Sequence, residues 1–190
     1  MKLLEERILK DGVIKPGQIV KIDNFLNHQV DPALCKEIAL EMVRLFQDKE
    51  INKVLTIEAS GISMATLVAL ELGCPMVFAK KAMSNNISED VFHTTVFSYT
   101  KAEDKNVIVS KEFLGPEDKV LIVDDFLAMG NALKGLIDLC NQAGAQVVGA
   151  AIAVEKAFQP GGKELRDKGY TIHSLARIAS IEDDTISFVE

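Results

Sequence analysis

Cysteine is scarce in this 190-residue chain, and its few cysteines are widely separated. There are three, an odd number: Cys35, Cys74 and Cys140. A disulfide framework or a zinc site needs cysteines in paired, closely spaced groups, and this spacing fits neither. All three lie in apolar surroundings. We therefore expect reduced thiols in the core of a cytoplasmic protein.

The chain also lacks long apolar runs and an excess of positive charge. No apolar run is long enough to span a bilayer. The first residues, Met1 to Arg7, carry acids where a signal peptide needs an apolar stretch, so we expect neither membrane insertion nor export. Lys and Arg number 21 against 28 Asp and Glu, a net charge of −7, which argues against a nucleic-acid partner. It does not exclude an anionic small substrate, because a site is local whereas net charge belongs to the whole chain.

Short apolar segments typical of buried strands alternate with helical patterns along the chain. The apolar fraction of 48% and charged fraction of 26% are those of a globular protein. No repeat or linker interrupts the chain, and we expect one domain over residues 1–190. The alternation predicts an α/β fold, with a central parallel sheet flanked by helices on both faces. The main predicted strands are Lys53–Ile57, Met76–Ala79, Val120–Val123 and Val147–Val154.

The most informative stretch is the one from Val120 to Leu133. Its first four residues are apolar and predict a buried strand, and Asp124 and Asp125 follow where we expect that strand to end. Open α/β sheets bind ligands at this edge. A loop over residues 128–132 then leads into a helix predicted over Asn131–Ala143. A helix N-terminus with free N–H groups binds phosphate. The sequence therefore places two acids close to a candidate anion-binding site.

This stretch resembles the phosphoribosyl pyrophosphate (PRPP) loop of the type I phosphoribosyltransferases. The family usually has Thr before the glycine and Thr or Ser after it, whereas this chain has Met129 and Ala132. Without those hydroxyls, 5′-phosphate binding must depend on backbone amides and Asn131. The bland alternative is a solvated acid pair followed by an ordinary helix. We refer to residues 128–132 as the phosphate loop; they are Ala128, Met129, Gly130, Asn131 and Ala132.

Two further segments are assigned to pyrophosphate and to a lid by this resemblance. Ala59, Ser60 and Gly61 form a second turn between a strand and a helix, where the family holds pyrophosphate. Lys81 opens an irregular segment and Tyr99 lies near its end, where the family has a flexible β-hairpin lid that excludes water. The alternatives are ordinary helix capping for the turn and a solvated, charged loop for the lid.

The residues that would read a base lie at two distant places in the sequence. Lys156 follows the predicted strand Val147–Val154 and can donate to a purine carbonyl oxygen, and Phe158 could stack on the ring. Near the N-terminus, Asn27 carries an amide that both donates and accepts, and Val20 is expected to contact the base. A surface Glu–Lys pair and an Asx turn are the corresponding structural alternatives.

The order of segments along the whole chain resembles the bacterial xanthine-using branch of this purine phosphoribosyltransferase family. Phe25–Gln29 and Glu155–Gly161 are the segments most specific to it. The resemblance implies transfer of 5-phosphoribosyl from PRPP to xanthine, in a homodimer. It also implies a hood formed by residues 1–31 and the C-terminal segment. Asp124 and Asp125 would be the catalytic pair, near Mg²⁺ that PRPP carries, and no side chain is expected to bind the ion directly. The rivals are a guanine or hypoxanthine phosphoribosyltransferase and a PRPP-sensing regulator without catalysis.

Overall fold

In the computed structural model, the described residues are 1–82, 90–98, 103–183 and 185–189, and they form five α-helices and ten strands. The helices are α1 (Lys2–Asp11), α2 (Pro32–Leu45), α3 (Gly61–Leu72), α4 (Asn131–Ala143) and α5 (Pro160–Asp167). The strands are β1 (Val13–Lys15), β2 (Ile19–Lys21), β3 (Lys53–Ile57), β4 (Met76–Ala82), β5 (Val91–Ser98), β6 (Glu103–Ser110), β7 (Lys119–Leu127), β8 (Gln146–Lys156), β9 (Ile172–Glu182) and β10 (Thr185–Phe188).

The main sheet has eight strands in the order β10-β9-β8-β7-β3-β4-β6-β5. The five strands from β9 to β4 pair in parallel, and β10, β6 and β5 pair antiparallel at the two ends. The run Val120–Val123 in β7 is fully buried. A strand covered by helices on both faces must be apolar throughout, so this run belongs at the sheet centre. The predicted mostly parallel α/β architecture is confirmed.

The core consists of two apolar clusters, one on each face of the sheet. The first packs α1, α2 and α3 against the sheet, and the second packs α4 and α5 on the opposite face. Helix α2 begins where a capping acid followed by proline favours a start: Asp31 accepts hydrogen bonds from the N–H groups of Ala33 and Leu34. None of the helices in the described part of the chain has the length and apolar character needed to cross a bilayer.

Three of the main strands, β7, β8 and β4, run further than the sequence predicts. β7 does not end at Val123 but continues to Leu127, so Asp124 and Asp125 lie within the strand. The reason is that β8 extends to Lys156 and keeps pairing with β7 beyond the acids. Similarly, β4 continues from Ala79 to Ala82, because its last residues pair antiparallel with β6.

The N-terminal segment forms a small separate layer above the carboxyl ends of the strands. β1 and β2 make a two-stranded antiparallel hairpin, turned through Gly17 and Gln18 with φ values of 82° and 59°. A π-helical segment, Asp23–Asn27, follows, and Phe25 and Leu26 anchor it in the first core cluster. These elements hold the N-terminal hairpin close to Lys156, whose side chain reaches the carbonyl of Gln18.

Candidate active site

Two adjoining cavities open beside the carboxyl ends of β3, β7 and β8. The first, of about 330 Å³, is lined by the acid pair and by the turn between β3 and α3. The second, of about 750 Å³, is lined by the phosphate loop, the N-terminal hairpin and Lys156. Phe97, Phe126 and Ala132 line both cavities. The fold thus brings most of the predicted site residues to one place.

The acid pair lines the first cavity, with each carboxyl in a different setting. Asp124 is only 4% exposed, and its Oδ1 accepts the N–H of Asp125 at 3.0 Å. A Cβ on Gly61 would lie 3.3 Å from Asp124 Oδ1 and 2.0 Å from Thr56 Oγ1, so glycine is needed for α3 to approach this closely. Asp125 is half-buried, and the Asn27 side chain lies near enough to lower the pKa of its carboxyl.

Burial alters the acidity of both carboxyls. Burial, reinforced by the adjacent charge of Asp125, raises the pKa of Asp124 well above its usual range. Burial also raises the pKa of Asp125, although hydrogen bonds from Asp124, the backbone and Asn27 partly oppose it. Two neighbouring carboxyls do not readily ionise at the same time. A bound cation or a cationic centre would stabilise both negative charges, so the pair favours such a ligand.

The turn between β3 and α3 forms the far wall of the first cavity. Ser60 and Gly61 line it, and Ala59 belongs to the same turn, next to a cis Glu58–Ala59 peptide. Glu58 Oε1 accepts the N–H of Lys81 at 2.7 Å, which joins the turn to β4. The Lys81 side chain is exposed and lines the cavity. Tyr99, predicted for the lid, lies outside the described residues.

The phosphate loop connects β7 to α4 and offers backbone N–H groups to the second cavity. Gly130 has φ 78°, a left-handed conformation that suits glycine. The first amides of α4 have no partner within the helix, so they are free to bind an anion. The Asn131 side chain, expected to assist phosphate binding, donates from Nδ2 to the carbonyl of Phe97 at 3.1 Å. It therefore also joins the loop to β5.

Lys156 lines the second cavity, as its predicted role requires. Its ammonium donates to the Gln18 carbonyl at 2.9 Å and lies 5.9 Å from the ring centroid of Phe126. Burial lowers its pKa. An ammonium has three donors, so one bond to Gln18 leaves others for a carbonyl oxygen of a ligand.

Three other residues predicted for the base do not line either cavity. Val20 is buried in the first core cluster, and its neighbours Ile19 and Lys21 line the second cavity instead. Asn27 lies near Asp125, and its Oδ1 is buried without a hydrogen-bond partner among the described residues. Phe158 packs against the first core cluster and lines neither cavity.

Phe126 lines both cavities, as Phe97 does, and sequence reasoning missed it. It follows the acid pair directly, and that adjacency was the available signal. The expectation that β7 ends at Val123 concealed this role of Phe126, because the residue would then lie in a loop and the direction of its side chain could not be predicted. Because β7 continues through Phe126, its direction is fixed by pairing with Val154 of β8.

A dedicated metal centre does not form among the described residues. They include no group of three or more His, Cys, Asp or Glu side chains placed to hold an ion. Mg²⁺ is usually held by one or two carboxylates together with substrate phosphates. The Asp124–Asp125 pair fits that limited contribution.

Comparison with known proteins identifies close relatives of this chain. Residues 21–183 match the family model described as phosphoribosyl transferase domain. A xanthine phosphoribosyltransferase of Finegoldia magna is 52% identical over 188 residues, covering 99% of each chain. Another, of Bifidobacterium adolescentis, is 53% identical over 191 residues with the same coverage. A solved adenine phosphoribosyltransferase of Giardia lamblia, complexed with 9-deazaadenine, superposes with a TM-score of 0.78 at 25% identity, covering 93% of this chain and 98% of that one.

Proposed function

Because the chain belongs to the phosphoribosyl transferase family, we propose that it is a purine salvage enzyme that transfers 5-phosphoribosyl from PRPP to xanthine. The products are xanthosine 5′-monophosphate and pyrophosphate. One observation of the site supports this most strongly: the first cavity contains the turn between β3 and α3 and the acid pair, and it adjoins the cleft that contains the phosphate loop. That order of groups matches the order of pyrophosphate, ribose and 5′-phosphate in PRPP.

In the first cavity, Asp124 and Asp125 orient the ribose hydroxyls. These carboxylates would lie beside Mg²⁺ carried by PRPP, and the ion would supply positive charge to offset the negative charge of the departing pyrophosphate. Asp125 also stabilises positive charge that develops on the ribosyl ring. The N–H groups of the turn over Ala59, Ser60 and Gly61 bind pyrophosphate, and Lys81 adds a positive charge. Tyr99 belongs to the lid in this proposal.

In the second cavity, the phosphate loop binds the 5′-phosphate and Lys156 reads the base. The free N–H groups at the start of α4 supply the anion site. Lys156 donates to a carbonyl oxygen of xanthine, while Phe126 offers a ring face beside it. The buried, unpartnered Oδ1 of Asn27 suits a donor on the base or ribose. Residues 1–31, which include Val20, act as the hood together with the C-terminal segment.

The test of this proposal is an assay of four purine bases with PRPP, followed as nucleotide formation. We expect turnover that depends on Mg²⁺, with xanthine preferred over guanine and hypoxanthine and with adenine poorest. Preference for guanine or hypoxanthine would support the alternative enzyme on the same scaffold. PRPP binding without reaction of any base would support a regulator.

Replacing Lys156 by methionine is expected to damage use of the base far more than binding of PRPP. A hydrogen bond from a charged donor contributes about 1.5–3 kcal/mol, which corresponds to a loss of roughly ten- to hundredfold in kcat/KM for xanthine. Methionine keeps most of the side chain's length and apolar packing. Steady-state kinetics gives the xanthine effect, and calorimetry gives the PRPP affinity.

The matched control for this variant is Lys163→Met, because Lys163 is 80% exposed on α5 and pairs with Asp167 at the surface. We expect its kinetics to equal those of the unaltered protein. A Lys156→Met protein that binds PRPP tenfold more weakly (about 1.4 kcal/mol) but keeps its xanthine KM would assign Lys156 to the phosphate site.

We also propose that the protein is a cytoplasmic homodimer. The described surface carries large exposed apolar side chains, among them Leu70 at 70% exposure and Leu9 at 57%, which a second subunit could cover. Cys35 and Cys140 are buried free thiols, as suits a reducing compartment. Sedimentation at micromolar protein concentration should give the mass of two chains, and a monomer there would contradict the dimer.

A further inference from the structure

The phosphate loop of this chain has to bind a dianion without side-chain hydroxyls. The side chains of Met129 and Ala132 have no hydrogen-bond donor, so the proposed binding of the 5′-phosphate depends on backbone N–H groups. Backbone donors act only if the loop already holds them in position, because each misplaced donor loses its bond. A second element must therefore fix the loop, and α5 lies against it.

The first contact is a close approach of two backbones. A Cβ on Gly161 would lie 2.4 Å from the carbonyl carbon of Met129, 2.5 Å from the Ala128 oxygen and 2.5 Å from the Gly130 nitrogen. The Gly161 N–H also donates to the Ala128 carbonyl at 3.2 Å. These distances leave no room for any side chain at position 161. The start of α5 thus rests directly on the phosphate loop.

The second contact is an ionic link further along both helices. Lys134, in the first turns of α4, donates to the Met129 carbonyl at 3.3 Å and to Glu164 of α5 at 2.7 Å. One ammonium therefore joins the loop to α5. The pair is partly exposed, so its contribution is smaller than that of the backbone contact.

α5 itself is anchored by a buried ion pair. Glu155, at the end of β8, accepts two hydrogen bonds from Arg166 of α5, both at 2.7 Å. A Cβ on Gly162 would lie 2.2 Å from Glu155 Oε1, so glycine lets the carboxylate fit against the start of the helix. Glu155 is adjacent in sequence to Lys156. This adjacency connects the base side of the site to the phosphate side.

We propose that the start of α5 is a positioning element that holds the phosphate loop in its anion-binding conformation, with Gly161 as the residue that sets their distance. This inference rests on the proposed function, because the anion is the 5′-phosphate of PRPP. Gly161 does not touch the substrate. It acts through the backbone of Ala128, Met129 and Gly130.

The test is Gly161→Ala, with Gly115→Ala as the matched control. A Cβ on Gly115 would meet nothing within 4 Å and its φ is not left-handed, so that variant adds the same methyl without a collision. The probes are ribose 5-phosphate and magnesium pyrophosphate, titrated by calorimetry. We expect Gly161→Ala to bind ribose 5-phosphate at least about tenfold more weakly, since small displacements of positioned groups have effects of this size. Pyrophosphate affinity should be unchanged.

The split between the two probes separates positioning from a general loss of structure, which would weaken both. A folded Gly161→Ala protein with unaltered ribose 5-phosphate affinity, or with both probes weakened equally, would overturn the inference. If Gly161→Ala does not fold, Lys134→Met decides: it should weaken ribose 5-phosphate by about three- to tenfold, and no change would overturn the inference. Failure of the unaltered protein to bind PRPP would instead overturn the proposed function.

Discussion

Replacing Asp125 by asparagine is expected to lower turnover by at least about a hundredfold while the protein stays folded. The change keeps the shape of the side chain and removes its charge. Loss of one positioned electrostatic group at a developing charge costs roughly 2.7–4 kcal/mol in the transition state. The measurement is kcat with saturating xanthine and PRPP, together with thermal unfolding.

The stability of Asp125→Asn should not fall along with its activity. The pKa of Asp125 is raised by burial in the folded protein, so the folded state holds its proton more tightly than the unfolded chain does. Ionisation above the unfolded pKa, near about 3.9, therefore costs stability as pH rises. An asparagine side chain cannot ionise, and we expect Asp125→Asn to be as stable as the unaltered protein at pH 7, or more stable.

The control for this prediction is Asp48→Asn, since Asp48 is 67% exposed and pairs with Lys49 at the surface. Its turnover should not change. Unaltered kinetics in a folded Asp125→Asn protein would contradict a catalytic role, and the acid pair would then be no more than a polar element of the strand.

Replacing Arg166 by methionine is expected to destabilise the fold by about 3–5 kcal/mol, because it leaves a buried carboxylate without its main partner. Glu155 is 3% exposed at its side chain, and Arg166 is 29% exposed. Urea unfolding at pH 7 measures the loss. Arg177, whose Nε lies 3.4 Å from Glu155, would still pair with the carboxylate in this variant. We therefore expect the loss of stability to fall toward the lower end of 3–5 kcal/mol, roughly as for a partly paired buried charge.

Arg44 supplies a control with nearly the same hydrogen bonds and less burial. Arg44 donates to Glu41 at 2.7 and 2.8 Å, but its side chain is 59% exposed and that of Glu41 is 30% exposed. We expect Arg44→Met to leave the urea unfolding transition nearly unchanged, because exposed ion pairs contribute little to stability. If Arg166→Met and Arg44→Met lowered stability equally, burial of Glu155 would not be the reason that its ion pair stabilises the fold.

The pH dependence of the Arg166→Met effect follows from the shift at Glu155. Burial alone would raise the pKa of Glu155, but the bonds from Arg166 and Ser174 outweigh it and hold the pKa below the usual value. The pair therefore stabilises the fold above the unfolded pKa of about 4.3, and this contribution is lost as pH falls through the folded pKa. The gap in stability between the two proteins should be large at pH 7 and should narrow below about pH 4. A constant gap across this range would contradict the electrostatic account.

Local patterns in the sequence suffice for the centre of the fold. Every residue of the run Val120–Val123 is apolar, a pattern typical of a strand that is covered on both faces. The run is fully buried and lies at the centre of the sheet. Asp31 followed by Pro32 begins α2, and α4 spans the predicted residues Asn131–Ala143. Caps and periodicity act within a few residues, so their effects can be predicted from adjacent letters.

Strand ends and side-chain partners depend on residues that are distant in sequence. β7 continues through Asp124 and Asp125 because β8 still pairs with it, and this pairing makes Phe126 a wall of both cavities. Lys156 donates to the carbonyl of Gln18, which lies 138 positions away. No pattern near either residue indicates that bond.

The sequence by itself therefore determined the α/β sheet, the place of the acid pair beside the phosphate loop, and the family. Those features follow from local conformational preference and from a motif whose members are adjacent. Only the tertiary structure decided that Phe126 and not Phe158 faces the cavities, and that Gly161 rests on the phosphate loop. Such contacts form where separate elements pack, and packing is set by the shapes of surfaces that come together only once the sheet and helices have assembled.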